Sequence, residues 1–165
     1  MRAIAISVHS IERASSICKR PASDEPTPAS SFAGDIPTPS SISAAPIEEA
    51  LGAKAQSKDG MVKVTIGRTA KMHGVAVGNE MGVNTWAAFA GGDDHAVDGD
   101  FAMRENELQP VLKVLRGEGI NIVAIHQHMT HESPRYVFLH YWGKGKAVDL
   151  AKAVRKALDA QHEVK

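Results

Sequence analysis

Apolar and polar residues alternate through MVKVTIGR, residues 61–68, with the period of a strand that buries one face. TWAAFA and HAVDGDFAM, residues 85–90 and 95–103, predict two further strands. Between them Gly91, Gly92, Asp93 and Asp94 supply the positive-φ and side-chain-to-backbone chemistry of a hairpin turn. The period then changes. Leu108, Val111, Leu112 and Leu115 recur at helical spacing across 106–116, where Pro110 fits because it lies near the first turn and Gly117 or Gly119 ends the helix. Residues 121–129 and 135–142 predict two more strands, joined as an antiparallel hairpin by the five residues THESP. Ala147, Leu150, Ala151, Val154, Ala157 and Leu158 draw an apolar stripe along a final helix. Upstream, residues 47–51 predict a short helical turn closed by Gly52, followed by a polar loop. Gly74, Gly78 and Gly82 break any period in 71–84, which reads as loop. Strands adjacent in sequence favour antiparallel pairing. The expected fold is therefore α+β, a two-layer sandwich with a mainly antiparallel sheet and two amphipathic helices on one face.

Composition divides the chain and narrows its chemistry. Its 165 residues suit one core, and six of the eight prolines fall within 21–46 among Ser, Ala and Thr. Such a stretch buries too little apolar surface to offset its ordering entropy, so 1–45 is expected to be a disordered leader and 46–162 the folded domain. Lys plus Arg and Asp plus Glu both count 19, which excludes recognition of nucleic acid by bulk charge. No apolar run approaches the roughly 18 to 20 residues of a membrane helix, so no membrane insertion is expected. His9, Glu12 and Arg13 interrupt the hydrophobic region that a signal peptide needs, and the expected location is cytoplasmic by default. Cys18 is the one cysteine, so metal ligands must come from His, Asp or Glu.

The candidate chemistry lies in AIHQHMTHESPRYVFLHYWG. Side chains on a strand alternate, so His126 and His128 point to one side. If the following strand pairs so that partner numbers sum to an even value, His140 projects from that same face. A sum of 266 sets it opposite His126, and 264 makes the two diagonal neighbours. Three imidazoles with an open fourth position suit a divalent metal: zinc, iron or copper. Glu132 is the candidate fourth ligand or general base near a metal-bound water, a role His131 beside it shares. Asp98 and Asp100, two apart on a strand, are candidate outer partners that orient the imidazoles, or else turn or bulge residues. A metal-binding domain, with hydrolysis as its least demanding reaction, is one reading. The other is a non-catalytic binding or assembly module with structural histidines. Nothing beside the histidines identifies a small-molecule ligand.

The segments GNEMGVNTWAAFAGGDDHAVDGDFAM and ELQPVLKVLRGEGINIVAIHQHMTHESPRYVFLHYWG resemble the LppY/LpqO family, bacterial proteins built on a domain without an established function. The resemblance covers about residues 47–160 and rests on GDF, the helix, A-x-H-x-HM, E-x-P-R and H-x-W. It marks His126, His128, Glu132, Pro134, Arg135 and His140 as positions of interest, and it implies a smaller residue where His131 stands. Relatives are often exported, and many carry two copies of the unit. A single copy therefore implies a homodimer, with a second chain covering the surface that a tandem partner would meet.

Overall fold

The computed structural model describes residues 40–92 and 95–162, so the expected leader lies almost wholly outside the described residues, as do Asp93 and Asp94 of the predicted turn. The described chain runs α1 (Ala44–Leu51), β1 (Ala55–Lys58), β2 (Met61–Gly67), β3 (Ala70–Met72), β4 (Val75–Val77), β5 (Asn84–Gly91) and β6 (His95–Met103). It continues through α2 (Leu108–Gly117), β7 (Asn121–His126), β8 (Glu132–Ser133), β9 (Val137–Gly145) and α3 (Ala147–His162). Six strands form one antiparallel sheet in the order β1-β2-β5-β6-β9-β7, and β4-β3-β8 form a second, smaller one. The α+β sandwich expected from the sequence is the fold observed, with α1 as a third helix.

Alternation decides which face each strand residue serves. Val62, Val64, Ala87, Phe89, Val97, Phe101, Met103, Leu139 and Tyr141 all point to one side. There they meet Ile47 and Leu51 of α1, Val111 and Leu115 of α2, and Ala151, Val154, Ala157 and Leu158 of α3. Each large side chain taken out of water in this layer contributes about 1.5–3 kcal/mol. The intervening residues Trp86, Asp98, Asp100, Ala102, Phe138, His140 and Trp142 occupy the opposite face. The small sheet covers one end of that face, where Ala70, Val77, Val83 and Tyr136 pack with Ala102 and Phe138.

Three local features differ from the sequence expectation. The polar stretch after α1 is strand β1, turned into β2 by Asp59 and Gly60 at φ 53° and 74°, so that Lys58 pairs with Met61. This is the two-residue Asp-Gly hairpin signal, hidden because β1 itself lacks apolar alternation. The glycine-rich stretch read as loop contains β3 and β4. Finally, β7 ends at His126, and THESP is only half of the connection to β9, which holds β8 as well.

Asp98, Gly99 and Asp100 are regular strand residues, not a turn. Gly99 lies opposite Tyr141, and a Cβ there would stand 2.2 Å from the tyrosine oxygen. The missing side chain lets the Tyr141 hydroxyl cross beneath β6 and donate to the Trp86 carbonyl at 3.0 Å. Burial raises the Tyr141 hydroxyl well above its ordinary pKa, so it stays a neutral donor. The glycine thus fixes the backbone between two carboxylates that face the other way.

Candidate metal centre

Strand register brings the polar residues of the outer face together. On β7 and β9, His126 pairs with Phe138 and Ala124 with His140, the even sum of 264 beyond a bulge between Ile122 and Ala124. His126 and His140 are therefore diagonal neighbours on one face. On β6, Asp100 pairs with His140 and Asp98 with Trp142, which puts both carboxylates on that face as well.

His128 lies past the end of β7, where the ladder no longer directs its side chain. Its ring instead lies flat on Phe138, with centroids 3.5 Å apart and planes at 10°. Its Nδ1 is 3.2 Å from the carbonyl oxygen of Gly82, a residue at φ 79° after the short turn Asn79–Met81. A carbonyl only accepts, so this contact places the ring proton on Nδ1 and leaves the Nε2 lone pair free.

That Nε2 is 3.1 Å from Nε2 of His126 and 3.5 Å from Oδ2 of Asp100, while His126 Nε2 and Asp100 Oδ2 are 3.8 Å apart. One ligand atom from each of Asp100, His126 and His128 thus falls in a group within 4.8 Å. For metal–ligand bonds of 2.0–2.1 Å, the donors of a tetrahedral centre stand roughly 3.3–3.4 Å apart. The three observed separations bracket that value.

The electrostatics of Asp100 point the same way. Its side chain is 6% exposed, and Oδ1 is buried without a hydrogen-bond partner. Burial raises its pKa, against the pull of His126, His128 and His140, and the neighbouring Asp98 adds to the rise. Among the described residues the ion-pair partners of Asp100 are imidazoles, and a carboxylate so buried has lost its water without full compensation, which a cation supplies.

The other sequence candidates stand apart. His140 Nε2 is 3.1 Å from Asp98 Oδ1, with the ring edge toward Trp86, and this pair lies outside the 4.8 Å group. Glu132 is in β8 of the small sheet, buried, and accepts a hydrogen bond from the Tyr136 backbone N–H at 3.2 Å. His131 sits at φ 68° with its ring 6.1 Å from that of His73. Asp100, expected only as an outer partner, takes the third place in the group. Its D-x-D spacing was visible, but β6 and β9 are distant in sequence, so no turn revealed their register.

A family model described as Domain of Unknown Function (DUF1259) matches residues 45–160. The chain belongs to that family. The DUF1259 match spans all nine strands and reaches both terminal helices, so the whole outer face lies inside it. No curated protein and no solved structure matches the chain.

Proposed function

We propose that this DUF1259 domain is a divalent-metal centre in which Asp100 Oδ2, His126 Nε2 and His128 Nε2 hold the cation. The observation that carries the proposal is the convergence of these three atoms around a buried carboxylate with an unpartnered oxygen. Two imidazoles and a carboxylate suit zinc or a neighbouring first-row metal, and three protein donors leave a position for water or a ligand. A cation there lowers the pKa of bound water and polarises a carbonyl or phosphoryl group, the requirements of hydrolysis. Phe138 supports the site from below and Gly82 fixes one ring, so the donors are held before a metal arrives. The A-x-H-x-HM and H-x-W motifs support grouping the domain with the LppY/LpqO proteins.

Zinc calorimetry on untagged, metal-stripped full-length protein tests this reading. The wild type binds, and His126→Ala, His128→Ala and Asp100→Asn each weaken affinity by roughly 100-fold or more, beyond the usual cost of losing an outer-shell partner. His162→Ala, at the end of α3, leaves it unchanged. Equal binding by the wild type and the three site variants would assign the histidines to structure alone.

A further inference from the structure

We propose that the connection from β7 to β9 forms a second site, separate from the metal centre, whose cavity takes a small zwitterion of the amino-acid class. Its E-x-P-R motif supplies Glu132 and Arg135, and the metal centre uses neither. The connection curls around a cavity of about 370 Å³ lined by Gln127, Met129, Thr130, His131, Glu132 and Arg135. That volume lies within the roughly 300–1,000 Å³ of small-molecule clefts. Glu132 anchors one wall. Strand β8 pairs it with Met72 of β3, and the residue is only 7% exposed. Its Oε1 accepts the Tyr136 backbone N–H at 3.2 Å. Tyr136 is itself buried, with its hydroxyl donating to the Thr69 carbonyl at 3.2 Å, so the carboxylate is held before a ligand arrives. Among the described residues Oε2 accepts no hydrogen bond, and no cation pairs with the carboxylate. Unlike Asp100 Oδ1, this oxygen is not sealed from solvent, so it opens on the cavity that Glu132 lines. A carboxylate has about four acceptor sites, and one so nearly buried with a single bond is short of partners.

Arg135 brings the opposite charge to the same cavity. It does not pair with Glu132, and among the described residues it makes no ion pair and no hydrogen bond. Two opposite charges that share a cavity without neutralising each other suit a ligand that carries both signs. An ammonium group at Glu132 compensates the nearly buried carboxylate, and a ligand carboxylate at Arg135 meets the bidentate fork of the guanidinium. An anion alone would meet the Glu132 charge, and a cation alone would leave Arg135 unused. Gln127 and Thr130 add an amide and a hydroxyl for a polar side chain, and Met129 adds an adaptable apolar wall.

Calorimetric titration of the full chain with each protein α-amino acid in turn tests the site. Metal is stripped first, so that an amino acid cannot bind through an ion and the outcome does not depend on the metal centre. At least one amino acid should bind. Its analogues lacking the amino group or the carboxylate should each bind at least roughly tenfold more weakly, because each leaves one charge of the cavity unmatched. Glu132→Gln and Arg135→Ala should weaken binding of the amino acid to a similar degree. Glutamine keeps an oxygen for the Tyr136 N–H and Arg135 is exposed, so both variants should fold, which circular dichroism checks. No binding by any amino acid, equal binding of either analogue, or binding unaffected by either substitution would overturn the proposal.

Discussion

His126 and His128 bring their Nε2 atoms to 3.1 Å of each other, a distance at which both cannot carry a proton. Without a metal, one donates a hydrogen bond to the other; with one, both turn lone pairs to the ion. A protonated ring has no lone pair for a metal, so zinc affinity should fall as the solution is acidified. Calorimetry at pH 7.5 and 5.5 checks this, and a pH-independent affinity would contradict it.

Asp100 carries a conflict between stability and binding. Burial raises its pKa, so the folded state favours the protonated form. The sign follows: a raised folded pKa contributes stability below the unfolded value, and that contribution disappears as pH rises through the folded value. At neutral pH the ionised carboxylate therefore destabilises the metal-free domain. Asp100→Asn should raise the melting temperature of metal-stripped protein at pH 7, and the gain should vanish in acid. Added zinc should stabilise the wild type and not the variant. Thermal denaturation with and without zinc reads all three effects.

Glu107 behaves in the opposite way. Burial pushes its carboxyl up, but bonds from Arg68 and from the backbone N–H and guanidinium of Arg104 outweigh burial and hold it at about 2. Gln161 of α3 also donates to it, so one side chain ties the β2 exit, the start of α2 and the end of α3. A lowered folded pKa contributes stability above the ordinary carboxyl range, lost as pH falls from about 4.5 toward about 2. The loss is of the order of 3 kcal/mol. Glu107→Gln should destabilise the domain by about 3 kcal/mol at pH 7, since it leaves Arg68 unpaired, and should flatten this acid limb. Urea denaturation across pH measures both.

How much of this was legible depends on range. Alternation in β2, β5 and β6 and the stripe on α3 stand in the sequence because each element repeats a local rule. The even register of His126 against His140 was readable as one of two options because β7 and β9 lie close in the chain, with only the short β8 between them. Asp100 needed the pairing of β6 with β9, two strands separated by α2, β7 and β8, and periodicity carries no such information. Glu132 looked like a ligand because it lies near the histidines in sequence, yet β8 pairs with β3 and draws it into a different sheet. His128 depended on a stack against Phe138 and a carbonyl 46 residues earlier, both tertiary contacts.

The most direct measurement of the central claim is an anomalous difference map at the zinc edge from crystals of the zinc-loaded full chain. The account predicts a peak about 2.0–2.2 Å from Asp100 Oδ2, His126 Nε2 and His128 Nε2. Zinc bound elsewhere, at His73 and His131 for example, with no density between those three atoms, would contradict it.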